Sequence, residues 1–98
     1  MTKAELVNQI SNKTGIDRIT VLKTVGAIMR NVSGSLVEGE NVYLRGFGTF
    51  EVKHRAEKLA RNISKNTAVI IPAHSIPAFK PSKEFVEKVK TAAVLENA

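Results

Sequence analysis

The stretch Arg45-Gly46-Phe47-Gly48-Thr49-Phe50 constrains this chain more than any other. Two glycines flank one aromatic, and a second aromatic follows. Glycine permits backbone angles and close approaches that a Cβ would block. The pattern predicts a tight corner that buries Phe47 and Phe50, two of only four phenylalanines. From there the parity alternates. Phe50 and Val52 share one face, and Thr49, Glu51, Lys53 and Arg55 share the other, which is the period of a half-buried strand. Lys53, Arg55, Lys58, Arg61 and Lys65 then follow, against the single acid Glu57. A rigid corner feeding a basic projection is the expectation on which a function can be built.

The flanking segments read as helices. Thr2 and Glu5 fit a capping box, Leu6, Val7 and Ile10 make an apolar stripe, and Gly15 is placed to end the helix, so a first helix is expected over about 3–14. Asp17 is a good N-cap. Val21, Val25, Ile28, Met29, Val32, Leu36 and Val37 carry the helical period to Glu38, with Gly39 as terminator. Gly26 and Gly34 inside this helix are read either as neutral surface positions or as sites of close helix approach. Val42-Tyr43-Leu44 is a short strand. Ser64-Lys65-Asn66-Thr67 is a hairpin tip before the β-branched run Ala68-Val69-Ile70-Ile71. Pro72 and Pro77 confine the returning strand to an edge or to irregular pairing. Ile76-Pro77-Ala78-Phe79 re-enters the core. Lys80-Pro81-Ser82 opens a last helix with Phe85, Val86 and Val89 on its apolar side, and Thr91 to Ala98 is a frayed helical end or tail. His54 to Arg61 is rich in helix formers; taken alone it reads as a short surface helix, and only its place between strands argues for an arm.

Ninety-eight residues suggest one domain with a thin core, for which dimerisation is a natural remedy. The net charge of +6 and pI of about 9.9 favour a polyanion or an anionic membrane surface as partner. No cysteine is present, which excludes disulfides and thiolate chemistry. No apolar run approaches the roughly 20 residues of a membrane span, and the N-terminus lacks the apolar centre of a signal peptide. An intracellular, cytoplasmic protein is expected.

Catalytic signals are weak. His54 and His74, the only histidines, fit no metal-ligand pattern and are read as surface or strand residues. Gly46-Phe47-Gly48 lies between strands and lacks the Gly-Lys-Ser/Thr of a phosphate loop. The expectation is no catalytic residue, no metal, no cofactor and no small-molecule substrate. The basic hairpin is the informative feature. Its tip sets the apolar Ile63 beside Arg61 and Asn62. Cations for phosphates, an amide for base edges and an apolar wedge suit a minor-groove reader.

Gly46-Phe47-Gly48-Thr49-Phe50, His54-Arg55-Ala56-Glu57, Arg61-Asn62 and Ile76-Pro77-Ala78-Phe79 together resemble the bacterial histone-like HU / integration host factor family, from Met1 to about Lys90. The resemblance implies an α+β fold: an intertwined homodimer with a two-helix base, a β-saddle with protruding β-hairpin arms, and a C-terminal helix. It implies a single domain over about 1–90, an arm at about 53–75 and a tail at 91–98. It also implies non-sequence-specific binding and bending of double-stranded DNA by minor-groove arms, in the nucleoid. A heterodimer with a paralogue is a variant of the same architecture. Carried over, arm contacts fall on Lys53, Arg55, Lys58, Arg61 and Asn62, and body contacts on Lys3, Arg18, Arg45, Lys80 and Lys83; the basic, apolar tip adds Ile63 and Lys65 as expected DNA contacts. Phe47, Phe50 and Phe79 become shared dimer core. This chain departs from the family at the arm: Ile63 stands where a wedge proline is usual, Ala60 and Asn66 where glycines are, and Thr67 and Ile70 where lysines are. Two alternatives remain open: a site-selective bender like integration host factor, and a dimeric protein-interaction module that kept the fold.

Overall fold

A computed structural model of the chain describes residues 1–62, 64 and 67–97. Ile63 and Lys65 lie outside the described residues. The elements in order are α1 (Lys3–Thr14), α2 (Arg18–Val37), β1 (Val42–Leu44), β2 (Gly48–Arg55), β3 (Lys58–Asn62), β4 (Thr67–Ile71), β5 (His74–Pro81) and α3 (Lys83–Asn97).

The helix ends follow their capping chemistry. The Glu5 amide donates to the Thr2 hydroxyl at 3.2 Å; the return bond of a full capping box is not among the described bonds. Gly15 closes α1 in the left-handed region at φ 76, where only glycine is unstrained. Asp17 caps α2 by accepting from the Thr20 amide at 3.0 Å and the Thr20 hydroxyl at 2.7 Å. Those two bonds, the hydroxyl's first, hold the Asp17 carboxyl below the usual carboxylate range. The folded pKa is therefore the lower one. The stabilisation is present above about pH 4 and is lost as pH falls through the folded value. Asp17→Ala should therefore lower the melting temperature at pH 7, with the gap to the wild type narrowing below about pH 4. A gap that stays constant down to pH 3 would contradict the cap's contribution.

Two glycines of α2 differ. Gly34 faces open space, whereas Gly26 is buried under the heads of Arg30 and Lys3. Among the described residues, no backbone of another helix is among the atoms nearest to a methyl added at either glycine.

Two sheets form, both antiparallel. The first has the order β1-β2-β5, and the second is the two-stranded ribbon β3-β4. The ribbon answers the ambiguity of residues 54–61: Lys58 to Asn62 pair with Ile71 to Thr67, and long-range pairing overrides local helix preference. The break between the sheets falls at 56–57 and 72–73, beside Pro72. Pro77 sits within β5, which is an edge strand, as its missing N–H requires. α3 runs unbroken to Asn97, so Thr91 to Asn97, expected as a frayed end or tail, continue the helix.

The core of the single chain is small. Among the described residues only Val7 and Val21 are buried apolar side chains. The chain exposes 8236 Å², whereas a compact monomer of 10.7 kDa exposes about 5,500 Å². Its radius of gyration is 19.1 Å, against about 13 Å for a compact chain of this length. Much of the excess is apolar. An open groove of about 720 Å³ runs between α2 and the sheet, lined by residues such as Met29, Val32, Leu36, Phe50, Val52 and Pro77.

Candidate nucleic-acid interface

The β2 alternation decides which side of the sheet is charged. Phe50 lies opposite Val42 and Phe79, and Val52 opposite Pro77; this face looks onto the α2 groove. The other face carries Tyr43, Thr49 and Lys80 in one row across three strands, then Glu51 with Ala78, Lys53 with Ile76, and Arg55 with His74. Lys53, Arg55, His74 and Lys80 are all exposed. One face of the sheet therefore gathers aromatics, and the opposite face presents cations with a single acid; within the single chain Phe50 is half-buried, and Phe47 and Phe79, expected in the core, stay 46% and 38% exposed.

The corner is held by an unexpected tie. Gly46 takes φ 78, and the turn it makes is joined to the start of α3 by Ser82. The Ser82 amide donates to the Phe47 carbonyl at 2.8 Å, and its hydroxyl donates to the Gly46 carbonyl at 3.0 Å. The same hydroxyl accepts from the Phe85 amide at 3.2 Å, capping α3. This tie collects Arg45, Lys80, Lys83 and Tyr43 around one concavity of about 530 Å³. Beneath it Phe47, Phe50, Phe79 and Phe85 form a ring cluster, with centroids from 4.8 to 6.4 Å apart. Phe85 and Ser82 were not legible as members of this assembly, because a tie across 36 residues leaves no local signal. Tyr43, 74% exposed, is legible only as the outward residue of a three-residue strand.

The remaining expected residues are spread. Lys3 lies over Gly26 beside Arg30, away from the corner. The Arg18 guanidinium Nε donates to Asn8 Oδ1 at 2.7 Å, at the junction of the two helices. On the arm, register places Lys58, Ile71, Ala60 and Val69 on one face, and Arg61, Ala68, Leu59 and Ile70 on the other. Leu59 and Ile70 are 70% and 63% exposed on one face, and Val69 and Ile71 are 45% and 39% exposed on the other, so the ribbon offers both faces to a partner. No ion pair joins any of these cations to an acid among the described residues.

The model of bacterial DNA-binding proteins matches residues 1–90. The chain belongs to that family. It is 38% identical over 90 residues to DNA-binding protein HU of Geobacillus stearothermophilus, covering 92% of this chain and 100% of that protein. It is 42% identical over 90 residues to integration host factor subunit beta of Marinobacter nauticus, covering 91% and 92%. The fold is similar to that of Anabaena HU in a cocrystal with DNA, with a TM-score of 0.85, 34% identity, and 91% of this chain and 97% of that one covered. The family is one of DNA-binding proteins, and the α+β architecture of two helices, antiparallel strands and a C-terminal helix is shared with Anabaena HU. Among the described residues no helix is long and apolar enough to cross a membrane.

Proposed function

We propose that this chain acts as a homodimer that binds and bends double-stranded DNA without reading its sequence, an architectural protein of the bacterial nucleoid. The observation that carries this reading is the set of exposed cations on the outer face of β1-β2-β5, from Lys80 to Arg55, followed by a ribbon that carries Lys58 on one face and Arg61 on the other. Unpaired cations gain affinity for DNA by releasing its condensed counterions. A two-stranded ribbon lying in a groove meets a wall on each side, so cations on both ribbon faces are useful there. The apolar Leu59 and Ile70 suit sugar edges in the same position. No step of this function needs a catalytic group or a cofactor.

Surface area supports the dimer. The excess over a compact monomer, about 2,700 Å², leaves room for the roughly 1,000–2,500 Å² that each partner of an obligate dimer buries. The groove beside α2 is the apolar part of that excess, and a second copy would close it. In this reading Phe47, Phe50 and Phe79 are dimer core. Lys3, Arg18, Arg45, Lys80 and Lys83 touch phosphates from the body, and Lys53, Arg55, Lys58, Arg61, Asn62 and Lys65 do so from the arm, with Ile63 as the wedge at its tip.

A short duplex labelled at both ends tests this in one experiment. Log affinity should fall linearly with log salt, by about 0.9 per phosphate neutralised. Arg55→Ala and Arg61→Ala should each reduce the slope by about 1–2, since each change occurs twice per dimer. Lys23→Ala should leave it unchanged. Ile63→Ala should keep the slope and shorten the labelled ends' approach less than the wild type does. Equal slopes in all variants would move the arm to the interaction-module alternative. Strong preference for one duplex sequence would favour the site-selective one.

A further inference from the structure

We propose that Arg55 and His74 form a phosphate site at the root of the arm, and that DNA binding there is coupled to uptake of a proton by His74. This rests on the DNA-binding reading above. His74 is the first residue of β5 and pairs directly with Arg55, the last residue of β2, on the cationic face. One step along, on the opposite face, the paired His54 and Ser75 touch side chain to side chain, with Nδ1 to Oγ at 2.8 Å. Register partners at this end of the ladder are therefore close enough to share a ligand. Both Arg55 and His74 are exposed, and Arg55 has no ion-pair partner among the described residues.

The tautomer of His74 gives the site its proton dependence. Its Nδ1 lies 2.9 Å from the Pro72 carbonyl. A carbonyl only accepts, so Nδ1 carries the hydrogen. In the neutral ring Nε2 is then an acceptor, which faces a phosphate oxygen unfavourably. Protonation turns Nε2 into a charged donor, and a charge-assisted bond to phosphate follows. Histidine is the side chain whose charge changes between about pH 5 and 8. The groups around it set the direction of coupling. β5 pairs only with β2, which presents Arg55 opposite and Lys53 two residues back on the same face, with His54 on the other face. Past the end of β2 come Glu57 and Lys58, and β5 itself carries only Lys80 at its far end. A phosphate bound between Arg55 and His74 brings a negative charge to the ring, which favours its charged form. Binding and protonation then favour each other.

The test is anisotropy of a labelled duplex at constant salt from pH 8 to pH 5.5. Wild-type affinity should rise by about tenfold as pH falls, up to one proton per chain. His74→Gln should hold the weak affinity of high pH throughout. His74→Arg should hold the tight affinity throughout, and His54→Gln should follow the wild type. Melting curves of each variant, expected to match the wild type, separate binding from folding. A pH-independent wild type, a His74→Gln variant that keeps the dependence, or a His54→Gln variant that loses it would each overturn the proposal. Absence of binding at every pH would instead overturn the DNA-binding reading, and this site with it.

Discussion

Leu36→Asp should leave the chain without a stable folded state at micromolar concentration. Leu36 lines the groove between α2 and the sheet, with Met29, Val32, Phe50 and Val52 around it. In the proposed dimer the groove is closed by a second copy, and symmetry applies the change twice. Losing a buried leucine alone costs about 2–5 kcal/mol per site, and the carboxylate adds a desolvation cost. Two such losses rival the whole stability of a small protein, about 5–15 kcal/mol. Leu36→Met, which conserves volume and apolarity, should fold and associate as the wild type does. The wild type itself supplies a second measurement. Folding coupled to association depends on concentration, so a hundredfold dilution should lower the melting temperature by roughly 5–10 °C. A sedimenting monomer with a dilution-independent melt would refute the dimer, whatever Leu36→Asp does.

The elements that local chemistry specifies were legible, and the one strand whose local preference opposes its pairing was not. Thr2, Gly15, Asp17 and Gly39 bound the helices because each satisfies or terminates a few neighbouring backbone groups. The corner was readable because its two glycines stand one residue apart in front of a strand of clean parity. The arm was not. Glu57-Lys58-Leu59-Ala60-Arg61 has helical propensity, and only the partner strand, with Leu59 opposite Ile70, makes it extended. The resemblance supplied what propensity could not. The site divides in the same way. Lys53 and Arg55 were assigned to one face by parity, and the structure places them there. The grouping of Arg45 with Lys80 and Lys83 depends on Ser82 reaching back to the corner, and the pairing of His74 with Arg55 on the exact register of β5. The continuation of α3 had a local signal that was available: Ala92-Ala93-Val94-Leu95-Glu96 contains neither glycine nor proline to stop a helix.

Gly48→Ala should be the most damaging single methyl addition in the chain. Gly48 is buried, starts β2, and faces Leu44 on one side and Pro81 on the other. An added Cβ would stand 2.6 Å from the Lys80 carbonyl oxygen and 2.6 Å from Cζ of Phe79. The first neighbour is backbone of a paired strand. The second is a ring held by Phe47 at 5.2 Å and Phe50 at 4.8 Å between centroids. Neither can move without opening the β2-β5 ladder or the aromatic cluster, so the cost should reach or exceed the upper end of the usual overpacking range, about 1–3 kcal/mol. Gly46→Ala offers a contrast at the same corner. There the new methyl meets only Glu84 Oε2 at 3.9 Å, but the backbone sits at φ 78, a left-handed conformation that costs roughly 1–2 kcal/mol with a side chain. The two variants separate crowding from backbone strain. Phe79→Leu added to Gly48→Ala should recover part of the loss by freeing the ring's edge, while the carbonyl contact keeps the remainder. The same second change should recover nothing in Gly46→Ala. Chemical denaturation of the four variants measures these differences. A Gly48→Ala protein as stable as Gly46→Ala would mean that β2 and β5 are not held at this spacing, and that the corner does not lock Arg45, Lys80 and Lys83 into one surface.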